Sequence, residues 1–262
     1  MCVLGGPLAE MQLLKQTNWD DKEGRGLVLL RQIRLGLSIL NLMLNMKHRA
    51  GLTRVSTPLE SLLSAQRANP NVPHFIAVLA DYIFYKFDLC LPILALKVMR
   101  SCATRWNVSL LACLGNDSVM MRNTWLTSLE WPLEDVGLLE AILRLLTDAV
   151  AKQPGLMHML VNGEDRCLNA VAQLLHSESQ RLRLAATQLL HSFWFHRCSP
   201  AVEYFKKRQG FWKGIGQTLL VADKASTARC VALVFHIIAI ELYNTQGNLN
   251  IDLKQVYNNY YN

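Results

Sequence analysis

No Cys-x-x-Cys pair, no His-Glu-x-x-His, no Gly-x-Ser-x-Gly and no Gly-Lys-Ser/Thr occurs anywhere in the 262 residues. The first two absences remove the common zinc-binding spacings, and the other two remove a nucleophile elbow and a phosphate cradle. Sustained period-two alternation is missing as well, so no β-sheet is expected. Residues 1–10 have neither a basic start nor a long apolar stretch, so no secretory signal is read there. The most apolar segment, Leu27 to Met46, carries Arg31 and Arg34. Its uncharged part, Leu35 to Met46, is shorter than the ~20 residues a bilayer requires, and no transmembrane segment is expected.

Charge is sparse too: 18% of residues are Asp, Glu, Lys or Arg, against roughly 25% in an ordinary globular chain. The 51% of apolar residues sits just above the globular average of roughly 45–50%, which excludes a disordered tail and suggests interior sequence. The net charge of +7 is uneven. Residues 1–110 hold 13 basic and 7 acidic groups, 111–160 hold 3 and 6, and 161–262 hold 11 and 7. A mildly acidic middle between basic flanks argues against a continuous nucleic-acid stripe.

The residues present read as helix after helix. Leu8 to Gln16 fits a short helix, and Leu30, Ile33, Leu37, Leu40 and Leu44 mark one face of a long helix from Leu27 to His48. Thr57-Pro58-Leu59-Glu60 has the form of a capping box with proline in the first turn. Helices are expected from Val72 to Phe87, through Pro92 to about Ala103, and from Val108 to Leu114, with Gly115 as terminator and Asn116 or Asp117 capping the next. Trp131-Pro132 marks a corner, and Leu133 to Lys152 reads as the longest clean helix, with Leu139, Ile142, Leu143, Leu146 and Val150 on one face. Pro154-Gly155 reads as a turn into Leu156 to Val161, and Cys167 to His176 follows. Ser177-Glu178-Ser179-Gln180 resembles a second capping box, opening Arg181 to His196. Ser199 to Gly210, Phe211 to Val221 and Ser226 to Asn244 complete the regular part.

Four long helices open at Leu91, Leu139, Arg183 and Arg229, which are 48, 44 and 46 residues apart. That spacing is near the ~40–47 residues of HEAT and armadillo units. The expected fold is therefore all-α: an α-solenoid of stacked HEAT/ARM-like antiparallel helix pairs. Its expected organisation is residues 1–56 as N-terminal helices, 57–245 as the repeat solenoid and 246–262 as an irregular tail, one continuous domain.

Candidate chemistry is thin. Cysteines 2, 90, 102, 113, 167, 198 and 230 are scattered in apolar helical context, which fits buried thiols in a reducing compartment better than a disulfide framework. Cys113 lies beside a turn, but sequence places no histidine near it. His191 and His196, five apart, fall on different faces of a helix. Gly210, Gly214 and Gly216 have the wrong spacing for a phosphate loop. Phe205, Lys206, Lys207, Arg208, Phe211, Trp212 and Lys213 could stack on and neutralise a nucleic acid, but buried aromatics beside a solvated helix end are the plainer account. Phe193-Trp194-Phe195 reads as interhelical packing. No catalytic, cofactor-binding or metal-ligating residue is assigned. What remains is a long helical surface suited to holding other chains.

One resemblance sharpens this. Leu79-Ala80-Asp81-Tyr82-Ile83, Asp88 with Leu91-Pro92, Ala112-Cys113-Leu114-Gly115-Asn116-Asp117 and Gln153-Pro154-Gly155-Leu156, in that order, resemble the nucleoporin-188 family of helical scaffold proteins. Fainter similarity continues through Leu168 to Val171, Leu189 to Trp194 and Phe211-Trp212. The resemblance implies an interior piece of a longer solenoid with a non-enzymatic structural role in the inner ring of the nuclear pore complex at the nuclear envelope, supporting nucleocytoplasmic transport. It implies partners among other inner-ring nucleoporins, engaged through short helical segments, with weak contacts to Phe-Gly repeats or transport receptors as a secondary activity. It implies no cofactor and no small-molecule substrate. The competing readings are a transport-receptor-like repeat protein that binds cargo or Phe-Gly repeats, and a helical-repeat RNA binder resting on Lys206 to Lys213 alone.

Overall fold

The computed structural model describes residues 25–49, 57–64, 74–85, 87–105, 109–115, 117–130, 135–161, 165–220 and 228–245. The readings for Leu8 to Gln16, Asn116, Trp131-Pro132 and residues 246–262 fall outside them. Among the described residues every regular element is an α-helix, thirteen in chain order. They are α1 (Arg25–Arg49), α2 (Pro58–Ser64), α3 (Phe75–Ile83), α4 (Cys90–Arg105), α5 (Leu110–Leu114), α6 (Asp117–Glu130) and α7 (Val136–Lys152). Then come α8 (Pro154–Val161), α9 (Arg166–Leu174), α10 (Gln180–Phe195), α11 (Ser199–Lys207), α12 (Phe211–Leu220) and α13 (Ala228–Asn244).

After α1 the order repeats as two shorter helices followed by a long one: α2–α3–α4, α5–α6–α7, α8–α9–α10 and α11–α12–α13. The long members start at Cys90, Val136, Gln180 and Ala228, which are 46, 44 and 48 residues apart. Two shorter helices thus stand where each expected pair has a single first partner. Successive triplets can follow with a single residue between them: Pro154 opens α8 directly after Gln153, whose N–H still caps α7 by donating to Ala149 O at 2.7 Å. Proline has no N–H to donate, and a first turn needs none.

The helices fall into two compact units that divide after Thr124. In the first, α4 packs between α1 and α3, and α3 also meets α5. Every residue of α3 except Asp81 is buried, which explains its lack of an amphipathic stripe. α1, not α7, is the longest helix. It buries Leu30, Ile33, Leu37 and Leu44, leaves Leu40 half-buried, and joins α4 through Ser101 Oγ donating to Asn41 Oδ1 at 3.2 Å. Arg34 also pairs with Asp88 at 3.3 Å. Its far face exposes Leu35, Ile39, Leu42, Met43 and Met46. By length and composition residues 26–46 would suffice to cross a bilayer, a point the sequence reading missed by counting only the uncharged part. The buried stripe, the Arg34 ion pair and the Asn41 bond pack one face of it on the protein.

In the second unit the long helices α7, α10 and α13 lie side by side, with α10 in the middle. The short helices form the other row: α8 meets α9, α9 meets α11, and α11 meets α12. Leu139, Ile142, Leu143 and Leu146 are buried as expected, and Val150 is half-buried.

Helix ends follow local chemistry. Glu60 N–H donates to Thr57 Oγ1 at 3.2 Å and Thr57 N–H to Glu60 Oε2 at 2.9 Å, the reciprocal capping box. Gly115 terminates α5 at φ +54°, a backbone that only glycine adopts cheaply. Asp117 sits inside the first turn of α6 and is not its cap. The second expected capping box does not form. Ser177 Oγ accepts from Ser179 N–H at 3.2 Å, and Ser179 becomes an N-cap with no side-chain bond, one residue before Gln180 opens α10.

Candidate interaction surface

Two arrangements brought together by folding would draw attention as chemistry. Cys113 Sγ lies 3.7 Å from His74 Nε2, a pair 39 residues apart in sequence. His74 is the N-cap of α3, and its Nδ1 accepts the Ile76 N–H at 3.1 Å. A ring nitrogen that accepts carries no proton, so in the neutral ring the proton sits on Nε2, facing the sulfur. That nitrogen has no lone pair with which to deprotonate Cys113, and burial raises the thiol pKa further from the thiolate. The pair is a helix cap packed on a thiol.

His191 Nε2 and His236 Nδ1 are 2.7 Å apart across α10 and α13, and the Phe195 ring stacks on His191. Burial first, then the charges of His236 and His196, lower the His191 pKa. His196 lies just past the end of α10 as its C-cap, with its ring edge-on to Phe195. Among the described residues no three His, Cys, Asp or Glu side chains gather as a metal site would need.

The basic and aromatic cluster is divided by its environment. Phe205, Phe211 and Trp212 are buried, and all three pack around Trp194 with ring centroids 5.8–6.2 Å away. No base can stack on them. Lys206 points inward: its Nζ reaches Glu241 Oε1 at 2.8 Å, and the other oxygen of that buried carboxylate accepts from Trp194 Nε1 at 3.1 Å. Phe193 and Trp194 are interhelical packing, as read from sequence, but Phe195 is 56% exposed. Lys207, Arg208 and Lys213 keep their exposure.

A pocket of about 240 Å³ opens where α9, α10, α12 and α13 converge. Leu175, Leu190, Phe211, Ile215 and Val234 give it apolar walls, while His176, Thr187, Arg208 and Gln209 supply polar groups. Gly214 lines it from within α12, where a Cβ would meet the His176 ring at 3.4 Å. Arg208 is held by neutral partners: its Nη1 donates to Asn169 Oδ1 at 3.0 Å and to the Tyr204 hydroxyl at 2.9 Å. Sequence reasoning missed this pocket because its lining spans residues 172–234. The one local signal was a mid-helix glycine.

These features belong to a chain with clear relatives. The model of the family described as nucleoporin Nup188, N-terminal subdomain III, matches residues 8–164. Nucleoporin NUP188 of Homo sapiens is 31% identical over 96% of the chain, that of Xenopus tropicalis 30% over 93%, and Nup188 of Drosophila melanogaster 26% over 98%. The chain spans only 15–16% of the length of these proteins. Among solved structures, a designed armadillo repeat protein in complex with the peptide (KR)4 superposes with a TM-score of 0.50 at 12% identity, covering 89% of this chain and 99% of that one. The likeness shows the fold, an α-solenoid of armadillo type. Nucleoporins are components of the nuclear pore complex at the nuclear envelope, and on the match over residues 8–164 this chain belongs to the nucleoporin Nup188 family.

Proposed function

We propose that the chain is a non-enzymatic segment of the inner-ring scaffold of the nuclear pore complex, acting through protein–protein contacts with other nucleoporins. The observation that carries this reading is membership of the Nup188 family across residues 8–164. The fold supports it, since stacked repeats present long surfaces to other chains and need no ligand to be stable. The two arrangements that could have hinted at catalysis point the same way: the Cys113 thiol faces a protonated nitrogen, and the His191–His236 pair lacks a third ligand among the described residues. The RNA-binding alternative loses its aromatic platform and one of its cations to the protein interior.

The test is photobleaching of the endogenously tagged protein that carries this chain. A nuclear-rim signal that recovers over hours is the expected result. Recovery within seconds would favour the transport-receptor-like reading, and absence from the rim would overturn the scaffold reading.

A further inference from the structure

We infer that the pocket between α9, α10, α12 and α13 seats an apolar side chain from a partner protein segment, with a carboxylate of that segment on Arg208. The inference deepens the scaffold reading and rests on it.

Size comes first. At about 240 Å³ the pocket is smaller than the roughly 300–1,000 Å³ typical of cofactor and drug-sized sites, and its lining is mixed, with Leu175, Leu190 and Ile215 offering contact to a single aliphatic or aromatic side chain and Arg208, Gln209 and His176 offering polar contact beside it. Such an anchor in a preformed pocket is how short segments hold to a repeat surface.

Charge then selects the partner. Arg208 is fixed through Nη1 by Asn169 and Tyr204, both neutral, and among the described residues it forms no ion pair. A planar guanidinium has five donors, so a cation held in this way still presents a fork matched to a carboxylate. Among the described residues no acidic side chain lines the pocket. The carboxylates nearest in chain order to Arg208 on α11 and across on α13, Glu203 and Glu241, both lie against Lys206. The designed armadillo neighbour was solved with a Lys-Arg peptide. A cationic peptide of that kind would be repelled here.

Gly214 is the third support. Glycine is a poor helix former, yet one stands inside α12 where it lines the pocket; a Cβ there would only touch the His176 ring, at 3.4 Å, whereas a longer side chain would enter the pocket.

The experiment is selection of a phage-displayed library of random 12-residue peptides on the purified chain. Synthetic copies of the enriched peptides are then measured by fluorescence polarisation. Enrichment of Asp or Glu within a turn of Leu, Ile, Met or Phe is expected. Arg208→Ala should weaken such a peptide at least about tenfold, the worth of a charge-assisted hydrogen bond. Gly214→Leu should abolish binding, and Lys213→Ala should leave it unchanged. Should Gly214→Leu fail to fold by circular dichroism, the peptide itself provides the control. Asp→Asn in the peptide should cost tenfold on the unaltered chain and nothing on Arg208→Ala. Enrichment of basic peptides, no enrichment over an unrelated helical protein, or equal cost of Asp→Asn on both proteins would overturn the inference. Rim localisation tells the two readings apart. Peptide failure with the rim signal intact sinks the pocket alone, and loss of the rim signal sinks the scaffold reading.

Discussion

Charge reversal at Lys206 should destabilise this protein markedly, whereas the same change at Lys207 should do almost nothing. The two residues are neighbours on α11, but their surroundings differ. Lys206 Nζ lies 2.8 Å from Glu241, whose side chain is 6% exposed, while Lys207 is in solvent. Lys206→Glu removes the partner of a buried carboxylate and sets a second carboxylate beside it. Breaking a buried ion pair costs roughly 3–5 kcal/mol. Because the Lys206 side chain remains 29% exposed, the low end, about 3 kcal/mol, is the expected loss. For a domain of this size that lowers the melting temperature by roughly 6–12 °C. Lys207→Glu should stay within about 0.5 kcal/mol of the parent.

Thermal melts followed by circular dichroism test this directly. A neutral pair gives the control. Lys206→Met with Glu241→Gln removes both charges and keeps a side-chain amide oxygen at position 241 that can accept from Trp194 Nε1, so most of the loss should return. Equal melting temperatures for the two single reversals would refute the inward assignment of Lys206.

Other consequences are briefer. Leu143→Asp would bury a charge without a partner on α7 and should cost more than about 3 kcal/mol; a loss below about 1 kcal/mol in denaturant melts would mean the buried face is misassigned. His191 has a folded pKa below its ordinary 6.5, so its neutral form stabilises the fold above about pH 6.5, and that share is lost as pH falls through the lowered folded value. Melting temperatures of His191→Phe should therefore fall less between pH 7.5 and pH 5 than those of the parent. Burial raises the thiols of Cys113, Cys198 and Cys230, while Cys90 is exposed. Iodoacetamide at pH 7.5 should alkylate Cys90 well before those three, as read by peptide mass spectrometry.

The helices were legible because their signals are local. Thr57 and Glu60 stand three apart and make the bonds their letters promise. Ser177-Glu178-Ser179-Gln180 carries a similar pattern, yet Ser177 spends its hydroxyl on Ser179, and the helix starts without a side-chain cap. The pocket and the Arg208 clamp had no local signal, since Asn169, Arg208, Gly214 and Val234 meet only after four helices stack. The Cys113 environment was misjudged for the same reason: its histidine is 39 residues away.

Polar contacts between the long helices of the second unit nevertheless obey one ruler. Ser192 Oγ donates to Thr147 O, His191 meets His236, and Trp194 meets Glu241 across 45, 45 and 47 residues. Each is close to the distance between starts of successive long helices, 44 and 48 residues for α7 to α10 and α10 to α13. In a solenoid each repeat touches only its neighbours, so polar partners of a long helix should lie about one period up or down the chain. Once the period is known, the partner of a residue such as Trp194 becomes searchable: a hydrogen-bond acceptor near position 240, of which Glu241 is the nearest carboxylate. The same rule sets which perturbations spread. α10 is flanked on both sides, by α7 and α13, and carries Trp194 and Ser192 bonded in opposite directions. Damage at its centre must therefore loosen two interfaces at once, whereas equal damage on α13 loosens only one long-helix contact among the described residues.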